Sequence, residues 1–202
     1  MVAGPTSSGK TVFVRKLLQF HDSLINSVVN PKIIWMYGQW QSSYSQAVSG
    51  VEIYYNEGLM SKHEIESEKP DVIVIDDLMN ELGNKVELAN LFTKGSHHQN
   101  ISVIFIVQNI FHQAKQMRNI SVNCHYFVIM KNPRDKSQIY HLARQFSPNN
   151  IHYLVEAYED ATKNEYGYIK ADFTASTPEK FRLQTDIFPI NNIFQPIFYS
   201  AK

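Results

Sequence analysis

Eight residues near the start, Gly4-Pro5-Thr6-Ser7-Ser8-Gly9-Lys10-Thr11, satisfy every fixed position of G-x-x-x-x-G-K-[ST]. Their types point to phosphate chemistry. Gly4 and Gly9 let the backbone wrap closely around an oxyanion so that successive amide hydrogens point inward. The following helix adds the positive end of its dipole. The Lys10 ammonium is suited to β- and γ-phosphates, and the Thr11 hydroxyl to a magnesium ion.

Two more segments supply what a triphosphate site needs. Ile73-Val74-Ile75-Asp76-Asp77 sets two carboxylates at the end of an apolar run, and ligands of open α/β sheets bind at that carboxyl edge. Asp76 is expected to join the magnesium shell. Asp77 is expected to orient or deprotonate the attacking water, with Glu81 as its rival. The run Ile101–Asn109 ends in Gln108 and Asn109, amides that both donate and accept, so an amide at this edge is suited to sense the γ-phosphate and hold the lytic water.

The elements that must position these groups alternate along the chain. Strands are predicted over 32–38, 51–55, 71–77, 101–109, 125–132 and 166–173, from near-continuous apolar runs suited to strands covered on both faces. Helices are predicted over 10–20, with Val12, Leu17 and Leu18 on one face, and over 84–96, 135–146 and 149–163. Strands alternating with helices argue for an α/β fold of the P-loop NTPase type, a mostly parallel sheet flanked by helices. Only Met1 to Ala3 precede Gly4. An ordinary strand has about five or six residues, so the first strand is expected to be largely missing and the chain to be an amino-terminally truncated copy. The core is placed at residues 1–175. Residues 176–202 are expected to form an extension that docks on a neighbour or is loosely ordered.

Bulk composition narrows the classes. The 202 residues carry 19 basic and 19 acidic side chains, a formal net charge of zero that gives no support for passive coating of nucleic acid. A local patch remains compatible with DNA contact, and Lys115, Arg118, Lys131, Arg134 and Lys136, interleaved with Gln113 and Gln116, form the one basic-leaning region. Cys124 is the single cysteine, so no intramolecular disulfide forms, and a reducing compartment such as cytoplasm or nucleus is expected. No apolar run reaches the roughly 20 residues that span a bilayer. His97, His98, His112, His125, His141 and His152 show no helical ligand spacing, so no histidine metal site is expected. Phe13, Phe20, Phe105, Phe111 and Phe127 are read as core.

GPTSSGKT, VIVIDDLMNE, LFTKGSHHQNISVIFIVQNIF, RNISVNCHYFVIMKNPRD and YEDATKNEYGYI occur in this order. Together they resemble the packaging ATPases of the FtsK–HerA superfamily, in particular the poxvirus-like and Maverick/Polinton-type viral enzymes, over residues 4 to 173. The most specific parts are the glutamine-bearing strand with its SHH-QN lead-in and the KNPRD stretch.

The resemblance implies an ATP-driven motor, a homo-oligomeric ring that pulls double-stranded DNA into a capsid, in the host nucleus or cytoplasm or with the virion. It implies that Lys10, Thr11 and Asp76 bind MgATP, that Gln108 is the sensor, and that Asp77 stands where the superfamily often has Glu. A ring motor completes each site with an arginine from the next subunit. Arg118 is favoured, Arg134 is nearly as good, and Arg144 is third. Two other readings share the loop: a small-molecule kinase, for which no arginine-rich lid is seen, and a non-catalytic relic.

Overall fold

Runs of five consecutive buried residues in Ile33–Tyr37 and Val72–Asp76 set the architecture. β-branched side chains suit a pleated surface, and burial on both faces is the mark of an interior parallel strand. The computed structural model describes every residue except 26–27, 84, 91, 94–99, 112–114 and 202, with the backbone alone at 115–117.

In chain order the strands used below are β1 (Val2–Ala3), β2 (Ile33–Tyr37), β3 (Ile53–Glu57), β4 (Val72–Asp76), β5 (Ser102–Val107), β6 (Tyr126–Met130), β7 (Tyr168–Asp172), β8 (Leu183–Thr185) and β9 (Ile197–Tyr199). The helices are α1 (Lys10–Gln19), α2 (His21–Leu24), α3 (Lys62–Glu68), α4 (Met79–Leu82), α5 (Val86–Asn90), α6 (Lys115–Val122), α7 (Ser137–Phe146) and α8 (Ile151–Ala161). The chain divides into two compact units. One comprises Met1–Lys10, Gln108–Ile110 and Cys124–Lys202, the other Thr11–Val107 and Phe111–Asn123.

In the second unit β2 pairs in parallel with β3 and β4, and β4 with β5. Asp76 ends its strand between Tyr37 of β2 and Ile106 of β5. In the first unit β6 pairs in parallel with β1 and antiparallel with β7, which continues through β8 to β9. This is the expected α/β class with a mostly parallel sheet. β1 holds only Val2 and Ala3, both buried. Its pairing is extended by Met1, whose carbonyl accepts from Val128 N at 2.8 Å and whose ammonium donates to the Tyr126 carbonyl at 2.7 Å.

Several expectations need adjustment. α1 buries Phe13, Val14 and Leu18, while Val12 is 65% exposed, so the apolar face is turned from the one expected. β3 begins at Ile53, not at 51, because Val51 makes an isolated bridge with Val48 instead. In the stretch 84–96, helix α5 covers only Val86–Asn90, and much of the remainder lies outside the described residues. Residues 176–202 contain β8 and β9, which pair antiparallel beyond β7. Among the described residues no helix is long and apolar enough to cross a membrane.

Candidate nucleotide site

The glycine-rich loop closes on itself within the first unit. Ser7 and Gly9 have φ of +63° and +94°, the left-handed conformations that turn backbone amides inward. A Cβ at Gly4 would lie 2.7 Å from both Met130 Cβ and Ser8 Oγ, so only glycine fits between β6 and the loop. Ser8 N donates to the Pro5 carbonyl at 3.2 Å. The Lys10 ammonium donates to the carbonyls of Gly4 and Pro5, each at 2.8 Å, which places the charge at the loop's mouth. Ser8 is buried, and among the described residues its Oγ has no hydrogen-bond partner. A turn of this shape with a lysine at its rim and unmet hydrogen-bonding capacity fits an oxyanion.

The paired acids lie in the second unit and differ from each other. Asp76 is 3% exposed, and its Oδ2 accepts a hydrogen bond from the Tyr44 hydroxyl at 2.7 Å. Tyr44 sits among aromatic rings, stacked on Tyr55 at 5.1 Å and edge-on to Trp40 at 5.4 Å. Burial, and next the Asp76 charge, push the Tyr44 phenol far above its ordinary range, so it remains a donor. Tyr55 is held in turn by Arg15 of α1, whose Nη1 donates to the phenol oxygen at 2.9 Å. Asp77 is exposed and left-handed at φ +58°, in the turn that directly follows β4. Gly38 makes room for that turn, since a Cβ there would lie 3.2 Å from the Asp77 carbonyl oxygen. Glu81 is exposed in the first turn of α4.

Gln108 and Asn109 are exposed and follow directly on β5. Their neighbour Ile110 donates its N–H to Gln138 Oε1 at 3.2 Å, and Gln138 Nε2 donates to Asp135 Oδ2 at 3.0 Å. Asp135 also accepts from Ser137, and these bonds hold its carboxyl below the usual range. Asn132 Oδ1 accepts from the backbone N–H of Arg134 and of Asp135, at 3.1 and 3.2 Å. Asn132 N donates to the Tyr158 phenol at 2.8 Å, and that phenol donates to the Met130 carbonyl. One chain of hydrogen bonds thus ties the segment after the two amides to the loop carrying Arg134. Gln138, Asp135, Asn132 and Tyr158 line a small pocket with Ala3 and Gly4.

Arg118 on α6, Arg134 and Arg144 on α7 are all exposed. The basic region is partly engaged within the chain. Lys131 Nζ donates to the carbonyls of Lys163 and Asn164, and Lys136 pairs with Glu159 at 2.9 Å. His97, His98, His112 and Gln113 lie outside the described residues, as do the side chains of Lys115 and Gln116. Tyr44 and Gln138 escape a reading by motif because neither lies in a recognisable pattern. Tyr44 reaches Asp76 from 32 positions away, and Gln138 reaches Ile110 from 28.

No protein-family model matches the chain, and no curated protein sequence does. Solved structures do. The genome packaging NTPase B204 from Sulfolobus turreted icosahedral virus 2, in complex with ATP-gammaS, superposes with a TM-score of 0.58 at 12% identity, covering 87% of this chain and 92% of that one. The sulfate complex of the same protein gives 0.55 at 14% identity, covering 87% and 91%. The DNA-packaging ATPase B204 from Sulfolobus Turreted Icosahedral Virus gives 0.58 at 11% identity, covering 87% and 92%. The chain has the fold of these packaging NTPases.

Proposed function

We propose that this chain is an ATP-hydrolysing motor subunit of the FtsK–HerA superfamily, of the poxvirus-like or Maverick/Polinton type. It acts in a homo-oligomeric ring that translocates double-stranded DNA, in packaging of a viral genome into a capsid. The reading places it in a reducing setting, host nucleus or cytoplasm, or with the virion. The observation that carries the proposal is the left-handed turn of Ser7 and Gly9 with the Lys10 ammonium at its rim, on a fold shared with packaging NTPases over 87% of the chain.

The residues have distinct duties in this mechanism. Backbone amides of Gly4–Thr11 cradle the phosphates, and Lys10 exchanges its bonds to the Gly4 and Pro5 carbonyls for β- and γ-phosphate oxygens. Thr11 and Asp76 would hold a magnesium ion, which would supply positive charge beside the phosphates. Tyr44 fixes the rotamer of Asp76. Asp77, with Glu81 as second candidate, takes the proton of the attacking water, and Gln108 orients that water. An arginine from the neighbouring subunit, Arg118 or Arg134, stabilises the charge of the transition state.

Phosphate release from ATP by the full chain, measured with and without double-stranded DNA, tests the proposal. DNA should stimulate release, and Lys10→Ala should abolish it without loss of fold. Phosphate transfer to nucleosides or nucleotides instead would establish a kinase, and a folded wild-type chain that releases none would establish a relic.

A further inference from the structure

The phosphate loop leaves open what receives the base of the nucleotide. In the first unit, one aromatic ring lies against that loop. A Cβ built on Gly9 would sit 3.2 Å from Cδ1 and 3.7 Å from Cβ of Tyr166. Tyr166 is 64% exposed, so a large part of its surface is in water although its ring fills the space a side chain at Gly9 would need. Its backbone is left-handed, with φ of +56°. A bulky side chain at positive φ is strained and persists where its surroundings over-determine it, and such residues cluster at ligand clamps.

The surroundings do over-determine it. Gly167, the next residue, has no space for a side chain, since a Cβ there would lie 2.5 Å from the Ala161 carbonyl oxygen and 2.8 Å from Thr162 Cα. The loop is therefore pressed onto the end of α8. It is also fastened to the end of β6. Lys131 N donates to the Gly167 carbonyl at 2.8 Å, and Lys131 Nζ donates to the carbonyls of Lys163 and Asn164 at 2.9 and 3.3 Å. Gly167 N closes the turn on the Asn164 carbonyl at 3.3 Å. The backbone that carries the exposed ring is thus held in a fixed place, with the ring beside Gly9.

We infer that Tyr166 is the platform on which the base of the bound nucleotide stacks, an inference that rests on the phosphate-loop reading above. A nucleotide whose phosphates occupy the loop carries its base about one ribose away, within reach of a ring that already abuts the loop. Stacking uses the π-face that every base has, so the platform contributes affinity without choosing adenine over guanine.

The test is binding of ATP, GTP and inorganic tripolyphosphate, each with magnesium, to the full chain. Y166A and Y166G should weaken ATP and GTP by about tenfold and leave tripolyphosphate unchanged, while Y166F and Y166W keep nucleotide affinity. Y166G also releases the left-handed constraint, so its thermal midpoint should rise while its ATP affinity falls, a divergence that a merely structural role would not produce. Unchanged ATP affinity in Y166G would overturn the platform, as would parallel weakening of tripolyphosphate. A wild-type chain that binds tripolyphosphate as tightly as ATP would remove the platform and leave the loop standing. A wild-type chain that binds neither would remove both.

Discussion

The Tyr44 hydroxyl donates to Asp76 Oδ2 at 2.7 Å inside a ring of aromatic side chains. The bond does two things at once. It satisfies a carboxylate that is 3% exposed, and it fixes which oxygen is turned toward the phenol. Removing one partner of a buried, charge-assisted bond costs about 1.5–3 kcal/mol. Tyr44→Phe should therefore lower the free energy of unfolding by about that amount, read from urea denaturation, and should weaken magnesium-dependent nucleotide binding through a less constrained Asp76.

The phenols also set an alkaline limit. Burial raises Tyr44 well above its ordinary range and pushes Tyr168 up to about 12. The folded chain keeps protons that the unfolded chain releases above a pH of about 10. Their stabilisation is full below that pH and is lost as pH rises toward and through the folded values. Lys170 works in the opposite sense, because burial lowers its folded pKa. The Tyr44 share is isolated by difference: the fall in urea midpoint between pH 9 and pH 11 should be smaller in Tyr44→Phe than in the wild type.

Asp77 occupies a left-handed turn, which asparagine also tolerates. Asp77→Asn therefore separates backbone from chemistry. Stability should change by less than about 0.5 kcal/mol, while ATP turnover should fall by about a hundredfold or more if the carboxylate takes the proton of water. Unchanged turnover would move that duty to Glu81.

Gln138 joins Ile110 to Asp135, so its loss cuts the connection between the segment after Gln108 and the Arg134 loop. Gln138→Leu keeps volume and leaves the Ile110 N–H without an acceptor, at a cost of about 1–3 kcal/mol. The expected kinetic signature is a lower kcat with little change in KM for ATP. Gln138→Glu keeps the acceptor for Ile110 but sets a carboxylate against Asp135, and should be intermediate in stability.

On the proposed ring, the arginine that completes a neighbour's site is found by mixing. If Arg134 serves the neighbour's site, neither an Arg134→Ala chain nor a Lys10→Ala chain should hydrolyse ATP alone. Mixed, they should recover part of the rate if Arg134 serves the neighbour's site. The same experiment with Arg118→Ala decides between the two, since only the true donor is complemented.

Much of this was legible from local pattern. The apolar runs that became β2, β4 and β6 are five-residue strands whose character depends on their own composition, and α7 and α8 fall within the predicted 135–146 and 149–163. The phosphate loop is contiguous, so its motif sufficed. What failed was non-local or finely angular. The inward face of α1 is not legible in the sequence because Val12 and Phe13 are adjacent, and only packing decides which of them turns inward. α3 carries a capping box, Ser61 with Glu64, that announces its start and could have been found. β8 and β9 are three residues each and draw their order from β7, so no periodicity of their own could reveal them. Tyr166 became visible only through its contact with Gly9 and its backbone angle.

The two carbonyl partners of Lys10 set a threshold for entry. An ammonium already satisfied by Gly4 and Pro5 moves only toward a ligand that rewards it more strongly, and neutral carbonyls are weaker acceptors than ionised phosphates. On the proposed reading, an entering phosphate therefore displaces two main-chain oxygens from the ammonium, and part of its attraction goes into that exchange.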